Sequence, residues 1–424
     1  MVGKVRRPTK GGYNQAMSIA VIGAGASGIF AALQAAWQGA AVTLFEHNDA
    51  IGKKLLVTGS GRCNICNQFA SQEKYSCADP DWIGSLFASF GVGQVLSMLT
   101  KLGIPLTMTA DGWYYPLSDS ARCVVDILAE ALRLAGVDLR LNTHIADLLP
   151  QADHFLVRHY FKNQTIDEPF ESVIVACGGK AYPSLGSRGD FFPILDKLGH
   201  TILPIRPALA PVLVDLGKWK QLQGVRLDVE ASLWADHELV DKTRGNLIFT
   251  EWGLNGPPVM DLSHHISARE HEKLTLSLNL LAFFEPQFDT LLKERRRSQS
   301  SIGALLKAFL LPKAAAFYPG LVGLKDSTAL DKIDELKLQE LILLLKETRF
   351  PVRGVRGFEY SQISVGGVPV SEVHPQGCMS KLISDLYVTG ESLDVVGPCG
   401  GYNLTFDFAS GAAAGISAAQ KQKH

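Results

Sequence analysis

No apolar run in these 424 residues reaches the roughly 18 to 20 that a membrane-crossing helix needs, and the basic residues 1–16 contain no apolar secretory segment. The sequence therefore predicts a soluble protein with no membrane association, and a disordered leader at 1–16. Charge of one sign is also missing. Lys and Arg total 41 against 42 Asp and Glu, so no global field draws nucleic acid, and any such binding needs a local patch. Seven cysteines, an odd number, argue against a disulfide framework and for free thiols in a reducing cytoplasm. His144, His374 and the pair His264–His265 lack partners at ligand spacing, so no metal site is expected. What is plentiful is glycine: 40 residues, above the roughly 7% usual in proteins, which hints at ligand sites lined by backbone. A chain of this length, 46% hydrophobic, suits two or three domains with a large core.

The glycines are first organised near the start. Ser18–Ile22 reads as a strand, Gly23–Gly28 as a tight turn, Ile29–Gln38 as an alanine-rich helix and Ala41–Phe45 as a second strand. Glu46 follows, 18 residues after Gly28, where a dinucleotide-binding fold places the carboxylate that holds a ribose diol. Gly23 permits the turn, Gly25 lets backbone approach a pyrophosphate, and Gly28 allows close helix–strand packing. Ala26 and Ser27 open the helix, whose unpaired N–H groups and positive dipole end attract anions. A lone glycine motif would be weak, but strand, helix, second strand and terminal acid coincide here.

Further along, Asp81–Leu102 and Ala121–Leu134 read as helices, and Thr143–Leu149 with His154–Tyr160 as a small β-meander. Ser172–Ala176 is an apolar run ending in Cys177-Gly178-Gly179, the pattern of a buried parallel strand delivering glycines to a ligand-binding edge. From about 195 to 357 the character changes to prolines and short β runs at Leu209–Leu216, Arg226–Leu233 and Leu247–Phe249. Phe288–Ala308 and Lys332–Thr348 there have the periodicity of amphipathic helices. Leu386–Glu391 then supplies another strand ending in glycine and acid, and Asn403–Ala419 a helix of small residues, so the first domain is discontinuous.

Five blocks together resemble the YhiN-like (BaiN-like, aminoacetone-oxidase-like) flavoproteins within the glutathione-reductase-type flavin fold. They are GAGASG at 23–28, KLLVTGSGRCN at 54–64, ACGGKAYPSLGSRGD at 176–190, GNLIFTEWGLNGPPVMDLS at 245–263, and SVGGV with VTGESLDVVGPCGGYNL at 364–368 and 388–404. The resemblance covers nearly the whole chain. It implies an α/β fold in which a Rossmann-type FAD-binding domain, 17–195 plus 358–424, is interrupted by a β-barrel-like insertion at 196–357 carrying a helical piece near 285–348.

Within those blocks, Glu391 after Gly390 reads as a contact near the ribityl chain, or else as a surface acid. Gly400, Gly401, Tyr402 and Asn403 open a helix aimed at the flavin, whose dipole would stabilise charge developing on reduction. Lys54, Gly61, Arg62 and Asn64 interleave donors with glycine, as expected along a cofactor, although Lys54 and Arg62 also suit surface ion pairs. Ile145 and Cys177–Gly179 complete the candidate cofactor contacts, and Gly366-Gly367 is either a junction near the flavin or a β-bulge. Cys63 is a candidate proton donor, since a flavin that adds hydride to one carbon needs a partner to protonate the next; the alternative, a small buried hydrophobe, is the reading a cysteine more often takes. Cys66 makes a Cys-x-x-Cys pair with it, but the resemblance implies no redox disulfide. No second glycine fingerprint marks a separate nicotinamide domain, so NAD(P)H, if used, binds transiently.

The expected activity is FAD-dependent oxidoreduction of a small molecule or an RNA. The resemblance implies three kinds of substrate: small amines such as aminoacetone, steroid-like bile acids, and uridine in large-subunit ribosomal RNA. The basic clusters Arg295–Arg297 and Arg349–Arg356 either grip phosphate or form solvated faces. A non-catalytic flavin-binding protein is the remaining alternative.

Overall fold

The computed structural model describes residues 18–161 and 164–420; the leader at 1–16 lies outside them. Five strands, all apolar but the third, form one parallel sheet: β1 (Ser18–Ile22), β2 (Ala41–Phe45), β3 (Asp138–Arg140), β4 (Ser172–Val175) and β5 (Leu386–Val388). Their order across the sheet is β5-β4-β1-β2-β3, with Ile22 opposite both Phe45 and Val175. Strands that are apolar on both faces belong in a parallel sheet covered on both sides, and β4 is buried along its whole length. The chain leaves β1 toward β2 on one side, while β4 and β5 lie on the other. That divergence is the switch point where ligands bind at the carboxyl edge of such sheets.

Helices α1 (Ala26–Trp37) and α2 (Tyr402–Gln420) cover one face together. Their small residues decide the spacing: a Cβ on Gly411 would lie 2.0 Å from the Ser27 carbonyl oxygen, and one on Gly415 2.2 Å from that of Ala31. The last helix is thus seated directly on the first, although about 375 residues separate them in sequence. Three antiparallel strands, His144–Pro150, Phe155–Phe161 and Gln164–Phe170, form the meander.

A closed six-stranded barrel draws its strands from Val212–Val214, Arg226–Ala235, Glu238–Phe249, Gly253–Asn255, Leu274–Asn279 and Thr348–Val355. Alternation fills it: Leu227, Val229, Ala231 and Leu233 point inward from a single strand. Outside the barrel, Leu203–Ala208 pairs antiparallel with Ile363–Gly367, so the two connections to the sheet run side by side.

Two expected helices are each divided. Phe288–Ala308 is broken into Glu285–Arg295 and Ile302–Leu306, because the serine-rich segment between them turns its side chains onto the backbone. Ser298 bonds the Arg295 carbonyl at 2.8 Å and Ser301 caps Ala304 N–H at 3.1 Å. Against the expectation that no run is long enough, the segment Pro80–Lys101 has the length and composition to span a bilayer. It is two helices, Pro80–Ser89 and Val92–Lys101, split at Phe90-Gly91 and packed into the core through Trp82, Leu86, Val95 and Leu99.

Candidate functional site

The carboxyl ends of β1, β4 and β5 open onto one cleft of about 460 Å³, within the roughly 300–1,000 Å³ usual for small-molecule and cofactor sites. Part of its lining is apolar, from Leu209, Met260 and Ile363, which pack together, and from Pro257.

At the β1 edge, Gly23 has φ +103° and donates its N–H to the Phe45 carbonyl at 2.8 Å; a Cβ there would meet the Ala176 oxygen at 2.4 Å. A Cβ on Gly25 would meet nothing within 4 Å, so backbone itself faces open cleft at that position. Gly25 is also the N-cap of α1, and no side chain caps that helix. The first-turn N–H groups of Ala26 and Ser27 thus keep their capacity to bind an anion. Glu46, only 6% exposed, sits at the end of β2, where its carboxylate accepts Ala24 N–H and Asn48 N–H, each at 2.8 Å.

A second group lies beneath the β5 edge. Lys54 forms an ion pair with Glu391, whose other oxygen accepts Ser364 N–H at 2.8 Å and its hydroxyl at 3.0 Å. Glu391 therefore joins three segments rather than pointing into solvent. Asp407, the one charged residue in the 19 of α2, also lines the cleft. Burial, and then the charge of Glu391, push it up to about 8, while Lys54 opposes them. Asn64 is 8% exposed and its Oδ1 has no hydrogen-bond partner, although it lines the cleft beside Gly400 and Gly401.

Of the candidates from sequence, Gly23, Gly25, Ala26, Ser27, Glu46, Lys54, Asn64, Ile145, Cys177, Gly178, Glu391, Gly400, Gly401 and Asn403 line this cleft. Seven do not. Gly28 and Gly179 serve close approach instead: a Cβ on Gly28 would overlap the Gly23 oxygen at 1.8 Å, and one on Gly179 the Ser364 hydroxyl at 2.0 Å. Gly390 does the same against Ser27 and Asp407. Tyr402 is buried with the aromatic cluster around Tyr75, which donates to its carbonyl at 2.8 Å. Gly61 and Arg62 are turned outward, where Arg62 bonds Asp119 at 2.7 Å and lies 4.5 Å over the Tyr115 ring.

Cys63, the expected proton donor, is fully buried and is not among the residues lining the cleft; burial pushes its thiol up to about 11, which keeps it protonated. The small buried hydrophobe is the reading its position supports. Gly366 and Gly367 belong to the irregular ribbon with Leu203–Ala208 and not to the cleft. The basic clusters are largely committed: Arg296 bonds the Ile333 carbonyl at 2.9 Å, Arg349 pairs with Glu347, and Arg353 with Asp215.

Sequence reasoning missed Asp407 and Cys399, both in the cleft lining. A lone acid in an otherwise small and apolar helix was the available signal for the first. The second stood inside the GPCGG turn already singled out for its glycines.

The family model of the HI0933-like protein Rossmann domain matches residues 17–417. The chain belongs to this family. It is 32% identical over 414 residues to the 3-dehydro-bile acid delta(4,6)-reductase of Clostridium scindens, across 95% of this chain and 99% of the relative. It is 28% identical over 394 residues to the ribosomal RNA dihydrouridine synthase of Escherichia coli, across 92% and 95%. The 3-ketosteroid delta1-dehydrogenase of Sterolibacterium denitrificans shares the fold, with a TM-score of 0.51 at 12% identity over 96% of this chain and all of that one.

The protein is an FAD-dependent oxidoreductase, and the cleft fits that cofactor. Glu46 suits the adenosine ribose, the uncapped start of α1 beside Gly25 suits the pyrophosphate, and the unpartnered Asn64 Oδ1 beside Gly400-Gly401 offers an acceptor to a ring N–H. FAD supplies hydride chemistry when bound; the chain's residues orient it, keep water out and manage protons.

Proposed function

We propose that this enzyme reduces a carbon–carbon double bond conjugated to a carbonyl group, with NADPH or NADH as the source of electrons. The carrying observation is a single cleft lined both by glycine turns suited to FAD and by an apolar patch of Leu209, Pro257, Met260 and Ile363 suited to a flat unsaturated ring. The names of the two relatives support the reading, because each describes saturation of such a bond, in a 3-oxo bile acid and in uridine. Lys54, Glu391 and Asp407 hold the cofactor side, and the apolar patch orients the substrate.

Uridine in ribosomal RNA is the second reading. Arg356 lies 3.2 Å over the Tyr360 ring and 4.8 Å from that of Trp252, on the segment that reaches the cleft at Gln362. Tyr182, itself in the cleft lining, donates its N–H to the Phe358 carbonyl at 2.9 Å, tying that segment to the rim. An aromatic and cationic rim of this kind can stack unpaired bases. The test is anaerobic bleaching of the FAD-loaded enzyme by NADPH or NADH, then reoxidation by a 3-oxo-Δ4 steroid, unmodified ribosomal RNA or aminoacetone-derived imine. Reoxidation by either of the first two, with the saturated product found by mass spectrometry, supports the reading; a flavin that none of them reoxidises sinks it.

A further inference from the structure

Cys399 stands in the turn that leads into α2 and lines the cleft between Pro398 and Gly400. Its surroundings are apolar, from Leu209, Met260, Ile363 and Val396. The residue that addresses it comes from the barrel side: Asp261, next to Met260, accepts Cys399 N–H at 2.7 Å across 138 positions of sequence, which places its carboxylate beside the thiol-bearing residue. A separate observation marks this corner as a ligand site. Asn64 presents a buried Oδ1 with no partner, and a Cβ on the adjacent Gly401 would lie 2.8 Å from it. The corner thus holds an unpartnered acceptor near a cysteine whose backbone is held by a carboxylate.

We propose that Cys399 is the proton donor that completes reduction of the substrate double bond, and that Asp261 is its positioning residue; this rests on the function proposed above. One carbon of the C=C bond gains a hydride, carrying two electrons that come from the nicotinamide donor. The π electrons shift toward the conjugated carbonyl, the neighbouring carbon forms its C–H bond with the Sγ proton as the S–H bond breaks, and the thiolate regains a proton from solvent. Atoms and electrons balance for addition of one hydride and one proton. Burial, and then the charge of Asp261, push the Cys399 thiol well up, so it carries its proton at working pH as Cys63 does; what separates the two is that Cys399 lines the cleft. The other six thiols are placed differently: Cys63, Cys66 and Cys378 are buried outside the cleft, Cys77 and Cys123 do not line it, and Cys177 donates to the Ile22 carbonyl at 3.4 Å.

The experiment uses FAD-loaded enzyme with native, Cys399→Ala, Cys399→Ser and Asp261→Asn chains matched for FAD content. In anaerobic single turnover, Cys399→Ala is expected to slow substrate-driven reoxidation at least about a hundredfold, the lower end for loss of an acid catalyst, with Cys399→Ser in between. Iodoacetamide labelling of Cys399, followed by mass spectrometry across pH, gives a readout besides activity. Asp261→Asn is expected to shift its midpoint to lower pH, since removal of the carboxylate eases thiol ionisation. Native-rate reoxidation in Cys399→Ala, absence of labelling at Cys399, or an unshifted midpoint in Asp261→Asn overturns the inference while the proposed function stands. Failure of every unsaturated compound to reoxidise even the native enzyme overturns both.

Discussion

Lys54, on the loop after β2, pairs its ammonium with Glu391 at the end of β5, 337 positions later. Glu391 is 9% exposed at its side chain, and the pair ties the loop, the last strand and Ser364 into one unit at the floor of the cleft. Replacing Lys54 by Met leaves a buried carboxylate without its cation. Loss of a bond to a charged group costs about 1.5–3 kcal/mol, so the urea midpoint of the apo-protein should fall accordingly. FAD retention on desalting should fall with it.

The two glycines Gly25 and Gly411 should fail in different ways. At Gly25 a Cβ meets nothing in the protein, so Gly25→Ala should change apo-protein stability by no more than about 1 kcal/mol. Its methyl enters the open cleft, and if FAD lies there its affinity should drop by about 10- to 100-fold, the equivalent of about 1–3 kcal/mol of overpacking. At Gly411 a side chain strikes the Ser27 backbone, so Gly411→Val should cost about 3 kcal/mol or more without any ligand present. Denaturant melts of the apo-proteins and FAD titrations separate the two; equal destabilisation would sink the assignment of Gly25 to the cofactor.

Glu46→Ala removes an acceptor for Ala24 N–H and Asn48 N–H as well as the expected ribose ligand. Its FAD dissociation constant should rise by about tenfold or more, from loss of a charge-assisted bond worth about 1.5–3 kcal/mol. Fluorescence titration with FAD measures this, and FMN, which lacks the adenosine, should bind native and Glu46→Ala chains alike.

Asp407 makes stability depend on pH in a definite direction. Its carboxyl is raised from 3.8 to about 8, so the folded state holds a proton that the unfolded chain releases. The stability this gives is fully present below pH 3.8 and is lost as pH rises toward 8. Asp407→Asn, which stays neutral, should gain on the native apo-protein as pH increases through that window. Denaturation midpoints between pH 5 and 8 check it, and parallel curves for the two proteins would refute it.

Some of this molecule is written locally. The run Ser18–Ile22, the glycine turn, the alanine-rich helix and Glu46 lie within 29 residues, and short-range preferences suffice to make them β-α-β. The same holds for β4 and β5, whose apolar runs can only be buried strands, and for the alternating pattern that fills the barrel. Helix breaks such as Ser298–Ser301 were hidden, because side-chain bonds to the backbone override a pattern that continues across them.

Tertiary structure alone decided who meets whom. Sequence spacing put Cys63 in a promising block, yet the left-handed turn at Cys63, with φ +63°, sinks its thiol below the cleft wall. It also brought Asp261 from the barrel to Cys399, and Asp407 to Glu391, through contacts that depend on two helices being seated by glycine and on a barrel closing beside a sheet. The chain's own order of residues determined the strands, the glycine turns and the acid that follows them. Which thiol lines the cleft, and which carboxyl keeps its proton, followed only from burial and distance, quantities that exist once distant segments have packed.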